Sequence, residues 1–198
     1  SLVGQSQIGK SSVQAMICAL GPDRLKHPPQ AFVYLSLQLI DDEADFYAEL
    51  CGKLGLETCS GGKLARALQG KRIILCLDEM EAIRGEGFTV RVRRQLRGLA
   101  DGADAPFTLV IASRSPLARL FPDSPELDSP LAGICHQLEI GPLSPDRARA
   151  FLGQGLNGTP VTFSEQDLTR LLRETGGHPA QLQRAAADLY RKLTLAKV

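Results

Sequence analysis

Residues 4–12 read GQSQIGKSS, and the fold turns on how this stretch is understood. Against the pattern G-x-x-x-x-G-K-[ST] the match is complete: Gly4, then Gln5, Ser6, Gln7 and Ile8, then Gly9, Lys10 and Ser11. Glycine reaches backbone conformations closed to other residues, so successive N–H groups, on through Ser12, can turn inward on one anion. Lys10 is placed to lie between the last two phosphates of a nucleotide, and the Ser11 hydroxyl to ligate Mg²⁺. Val13, Ile17 and Leu20 follow at helical spacing. A helix is therefore expected to start at Lys10, with the positive end of its dipole toward the anion. A buried strand should precede the loop, yet only Ser1, Leu2 and Val3 stand there. With no initiator methionine, the chain reads as a trimmed piece with a shortened first strand.

A phosphate loop needs an acidic partner, and RIILCLDEME (72–81) supplies it. Ile73 to Leu77 form an unbroken apolar run, as expected of a strand covered on both faces. Asp78 then falls at the C-terminal edge, where open α/β sheets bind ligands. Its carboxylate can hold Mg²⁺ through water, and Glu79 beside it can polarise an attacking water.

Bulk properties bound the partners. A chain of 198 residues buries one good core with a small appended unit. Net charge is +1 and only 5% of residues are aromatic, with no Trp, so nucleic acid is an unfavoured partner. Apolar runs are of strand length, which excludes a helical membrane span. The five cysteines lack C-x-x-C spacing and the three histidines lie far apart. Both facts argue for buried reduced thiols in a cytoplasmic protein rather than a metal or disulfide framework.

Along the chain, strands are expected at 31–40, 73–77, 107–114 and 136–140, with helices between them and an irregular stretch at 115–135. Such alternation implies a parallel sheet with helices on both faces. From Gly141 the pattern becomes helical. Ser144 and Ser164 read as N-caps, Pro145 as a first helical residue, and Gly176-Gly177 as a stop. Residues 1–140 are thus expected to form an α/β core and 141–198 a helical lid.

The loop, LCLDE (75–79), LVIASR (109–114) and GGHP (176–179) together resemble the STAND class of P-loop ATPases, a branch related to AAA+ proteins. The resemblance is closest to bacterial AAA-like signalling members and extends to residues 129–152. It implies a P-loop NTPase three-layer sandwich with a mainly parallel five-stranded sheet and a C-terminal lid. It also implies ATP/ADP and Mg²⁺ as cofactors. In that pattern the loop residues Gly4 to Ser12 cradle the phosphates and Lys10 binds the β- and γ-phosphates. Ser11 and Asp78 hold the metal, and Glu79 activates water. Ser113 or Arg114 would sense the γ-phosphate, Arg114 being better suited because it offers two parallel N–H bonds. His178 and Pro179 would report nucleotide state to the lid. The plainer reading of that pair is a helix boundary. Arg91, Arg93, Arg94 and Arg97 could supply an arginine finger to a neighbouring subunit or simply form a solvated face.

The reading that follows is a slowly hydrolysing ATPase acting as a nucleotide-dependent signalling switch. It implies effector or sensor domains outside this chain and a nucleotide-dependent homo-oligomer. A motor or loader acting on DNA, or a non-catalytic scaffold with an ATPase fold, are the alternatives. ATP is favoured over GTP by resemblance, since no N-K-x-D guanine reader occurs.

Overall fold

Alternation of buried and half-buried residues in FVYLS suits a strand at the edge of the sheet, and unbroken burial in IILCLD suits the covered strand paired beside it. The computed structural model describes residues 1–122 and 131–195. Among these, β1 (Leu2–Val3), β2 (Phe32–Ser36), β3 (Ile73–Asp78), β4 (Phe107–Ser113) and β5 (Leu138–Glu139) form one sheet in the order β2-β3-β4-β1-β5. Every pairing is parallel. The register sets Val3 against Ser113 and Ser36 against Asp78. The C-terminal ends of β1, β2, β3 and β4 therefore share one edge, the edge where ligands bind in open α/β sheets.

Helices cover both faces. On one side α1 (Lys10–Leu25) lies against Phe32 of β2, and its Cys18 thiol sits 3.9 Å from that of Cys76 in β3. On the other, α2 (Glu43–Lys53), α3 (Gly61–Ala67) and α4 (Val90–Ala100) contribute Phe46, Leu50, Leu64 and Leu96 to a core shared with Val33, Leu35, Leu75 and Leu77. Each such fully buried side chain stabilises the fold by about 1.5–3 kcal/mol before entropy is counted. A short helix, α5 (Leu117–Leu120), adds Leu117 and Leu120 to the same core.

Three elements differ from the sequence pattern. The second strand ends at Ser36 rather than Ile40, because Leu37–Leu39 form a 3₁₀ turn that leaves Leu39 85% exposed. The fifth spans only Leu138–Glu139 of the expected 136–140. In α1 the buried positions are Gln14 and Gly21, whereas Leu20 of the expected apolar stripe is 43% exposed. The helix sits on the sheet through a polar anchor and a gap. Gln14 Nε2 donates to the carbonyls of Leu77 (3.0 Å) and Val110 (2.8 Å), joining β3 and β4 beneath the site. Gly21 admits the Phe32 ring, which a Cβ would meet at 2.2 Å. The helix also runs through Pro22 to Leu25. Of the irregular stretch 115–135, residues 123–130 lie outside the described residues.

The chain divides into two compact units: Ser1–Gly4 with Lys10–Glu139, and Gln5–Gly9 with Ile140–Val198. The second contains α6 (Pro145–Leu156), α7 (Glu165–Thr175) and α8 (Pro179–Leu195), packed around Ala148, Leu152, Phe163, Leu171, Leu182 and Leu189. Its caps follow the sequence. The Ser144 hydroxyl accepts from Arg147 N, with Pro145 opening α6. Ser164 and Asp167 form a reciprocal capping box at α7. Gly176 closes α7 in the left-handed conformation. Gly177 follows at φ +76°, and a Cβ there would lie 2.3 Å from the Leu143 carbonyl oxygen. Only glycine permits that approach.

Candidate functional site

Gly4 leaves the end of β1 with its N–H donated to the Ser113 carbonyl at 3.2 Å, so the loop departs from the ligand-binding edge. Gln7 (φ 59°) and Gly9 (φ 108°) both take left-handed backbone conformations, and Ile8 between them is buried. A non-glycine residue held there costs roughly 1–3 kcal/mol, a strain often found at ligand-binding loops. Lys10 opens α1, and its Nζ donates to the Gly4 carbonyl at 2.8 Å. Ser11 and Ser12, in the first turn of that helix, are exposed.

The acidic pair is arranged by a sharp turn. Asp78 is only 4% exposed, and both its oxygens are engaged: Oδ1 accepts from Glu79 N and Oδ2 from the Tyr34 hydroxyl, each at 2.9 Å. Burial, then this hydrogen bond, pushes the Tyr34 phenol up to about 12, so it remains a donor at neutral pH. Glu79 itself is left-handed (φ 56°, ψ 53°) and starts the 3₁₀ turn Met80–Arg84, whose Met80 and Ile83 anchor in the core. The turn returns Glu81 to the edge, where its carboxylate accepts from the backbone N–H of Arg114.

These groups act on Lys10 together. Burial lowers its pKa from the ordinary lysine value, opposed chiefly by Glu81 and Asp78, then Glu79, while Arg114 adds to the lowering. Three carboxyl groups and two basic groups thus lie within electrostatic reach at one edge of the sheet. Ser113 is fully buried and its hydroxyl donates to the Ser115 carbonyl at 2.7 Å, whereas Arg114 is exposed.

His178 and Pro179 stand at the start of α8 within the helical unit. His178 is 9% exposed, and its Nε2 lies 3.2 Å from the carbonyl oxygen of Ser6. From the same helix, Arg184 donates to the Gln7 side-chain oxygen at 2.9 Å. Two residues of the helical unit therefore touch the loop directly. Pro179 is the first residue of α8, as the helix-boundary reading had it. Among the four arginines of α4, Arg93 stacks over Phe121 at 4.5 Å and Arg97 pairs with Asp101 at 3.6 Å. Arg91 and Arg94 are exposed.

Sequence reasoning missed Tyr34, Glu81, Gln14 and Arg184. Glu81 had a signal, standing three residues beyond Asp78 in the same acidic stretch. Tyr34 had a weaker one, as a polar-tipped residue among the apolar residues Phe32, Val33 and Leu35. Gln14 and Arg184 look like ordinary surface residues in sequence.

No family model and no curated protein matches the chain. Solved structures do resemble it. RuvB of Thermotoga maritima, described as a Holliday junction branch migration motor, aligns with a TM-score of 0.66 and 19% identity, covering 100% of this chain and 55% of that one. Cdc6p of Pyrobaculum aerophilum aligns with a TM-score of 0.71 and 16% identity over 99% of this chain and 55% of that one. A Walker-type ATPase of Pyrococcus abyssi gives 0.67 and 16% over 99% and 68%. The chain thus has the α/β fold of AAA+-like P-loop ATPases, and it spans little more than half the length of the first two.

The residues present fit Mg²⁺ and a nucleotide. A hydroxyl and buried carboxylate suit a hard oxygen-seeking cation, and the excess of carboxyl over basic groups favours a positive charge. Among the described residues no group of three or more His, Cys, Asp and Glu is gathered so as to hold a metal ion. No helix of the described residues is long and apolar enough to cross a membrane.

Proposed function

We propose that this chain is an ATP-binding and slowly hydrolysing domain that works as a nucleotide-dependent switch, of the STAND class within the AAA+-related ATPases. The observation that carries this is the grouping of Lys10, Asp78, Glu79, Glu81 and Arg114 at one sheet edge beside the phosphate-loop sequence. Lys10 would leave the Gly4 carbonyl to meet the β- and γ-phosphates. Ser11 and Asp78 would hold Mg²⁺, which when bound neutralises phosphate charge. Glu79 takes the proton of the attacking water as oxygen bonds to the γ-phosphorus and the bridging bond to ADP breaks. Residues 1–140 are the ATPase core in this reading and 141–198 the lid.

A switch requires a contact that exists only with the γ-phosphate, because a ligand binding two states equally shifts neither. Arg114 is that contact here. His178 and Arg184 carry the loop's position into the helical unit, and effector or sensor domains beyond this chain, or a second copy of it, would read the result. Single-turnover assays test the reaction: wild type converts ATP to ADP, and Glu79→Gln binds ATP but hydrolyses it at least about a hundredfold more slowly. Hydrolysis unaffected by that change would overturn the assignment. Absence of turnover in wild type would favour a scaffold.

A second reading, a motor or loader acting on DNA, draws support from the likeness to RuvB and from exposed Arg91 and Arg94 on α4. It predicts duplex binding that weakens steeply with salt.

A further inference from the structure

Strands β2 and β3 place alternate residues on the face covered by α1. Phe32, Tyr34 and Ser36 share it with Ile74, Cys76 and Asp78, since Tyr34 pairs with Cys76 and Ser36 with Asp78. Tyr34 therefore stands one pleat short of the strand end, and its long side chain spans diagonally to Asp78. The contact is a 2.9 Å hydrogen bond to Oδ2, while the Glu79 N–H takes Oδ1 at the same distance. Tyr34 also lines a groove along α1 with Ser11, Ser12, Ala15, Cys18 and Ala19. Of the two residues assigned to Mg²⁺, Asp78 is bonded to the Tyr34 hydroxyl and Ser11 lines the same groove as Tyr34.

We propose that Tyr34 is a positioning residue for Mg²⁺, fixing the Asp78 carboxylate in the orientation that receives the cation. This rests on the nucleotide site proposed above. The torsion that turns a carboxylate is broad and roughly two-fold, so an Asp side chain alone does not select one plane. Two donors, one on each oxygen, do select it, and each oxygen keeps a lone pair for a metal-bound water. Mg²⁺ demands near-ideal octahedral geometry, which makes a pre-set carboxylate worth more to it than to a softer or larger ion. Partners that orient metal-holding groups in this way commonly change metal affinity 10- to 100-fold when removed, roughly.

The test is calorimetric titration of ADP at a series of Mg²⁺ concentrations, and in EDTA, for wild type and Tyr34→Phe. The variant keeps the ring and removes only the hydroxyl. Tyr34→Phe should need about tenfold more Mg²⁺ to reach half-maximal enhancement of ADP binding, with ADP affinity in EDTA unchanged. An unchanged Mg²⁺ requirement overturns the proposal, and so does an equal loss in EDTA. Failure of wild type to bind ADP at any Mg²⁺ concentration instead overturns the nucleotide site. A measurement on wild type alone guards against a misfolded variant. With three tyrosines and no tryptophan, tyrosine emission is directly readable. Mg²⁺ added to the ADP-bound protein should change that emission at the concentration that enhances binding, and a flat response contradicts the role of Tyr34.

Discussion

His178 reaches the carbonyl oxygen of Ser6, 172 residues away in the chain, with its Nε2 at 3.2 Å. A carbonyl can only accept, so Nε2 carries a proton. The other ring nitrogen, Nδ1, is buried with no partner among the described residues. The turn before α8 is thereby tied to the backbone of the phosphate loop, and Arg184 adds a second tie at Gln7. A histidine that could have been only part of a helix boundary is in contact with the loop.

Removing that tie should loosen the loop for either nucleotide. His178→Ala is expected to weaken ATP and ADP binding alike by about fivefold, the equivalent of about 1 kcal/mol for one hydrogen bond. His178→Gln, which retains a donor, should recover part of the loss in the same titration. Affinities equal to wild type in His178→Ala would show that the contact does not steady the loop.

Arg114 should behave differently, because its proposed partner is the γ-phosphate alone. Arg114→Ala is expected to leave ADP affinity nearly unchanged and to weaken ATP by about tenfold or more, as for a hydrogen bond between charged groups. Competition against a fluorescent nucleotide measures both. Equal losses for the two ligands would remove Arg114 from the sensing role.

Beneath the site, Gln14 is fully buried and its amide closes the gap between the carbonyls of Leu77 and Val110. Gln14→Leu keeps much of the volume but leaves two strand carbonyls without that donor. Urea unfolding should show a loss of about 1–3 kcal/mol. A variant as stable as wild type would mean that α1 is held by its apolar contacts alone.

Much of this was legible beforehand, and the reason differs by residue. The loop, the Asp78 strand and the Ser144 and Ser164 caps are local patterns, in which spacing along the chain equals geometry. The Tyr34–Asp78 pair depends on the register of β2 against β3, which spacing does not encode. The apolar stripe of α1 misled because Gln14 and Gly21, a polar residue and one with no side chain, form its buried face. Glu81 comes to Arg114 only because Glu79 adopts a left-handed turn that an L-residue rarely takes. Contacts across elements, unlike motifs, had to be seen.

The capping box of α7 carries its own pH signature. Hydrogen bonds from the Ser164 hydroxyl and backbone hold the Asp167 carboxyl below its ordinary value. A carboxyl depressed in the folded state stabilises it fully above the unfolded pKa of about 4, and that contribution fades as pH falls through the folded value. Ser164→Ala should therefore lower the melting temperature of the chain more at about pH 7 than at about pH 2.5. An equal penalty at both would mean that Asp167 does not take part in the cap.

The most direct test of the whole account is calorimetric titration of the purified chain with Mg·ATP and Mg·ADP beside Lys10→Ala. The account predicts saturable binding of both nucleotides by the wild type, tighter for ATP, and its loss in the variant. Binding that survives in Lys10→Ala, or no binding by a folded wild type, would contradict it.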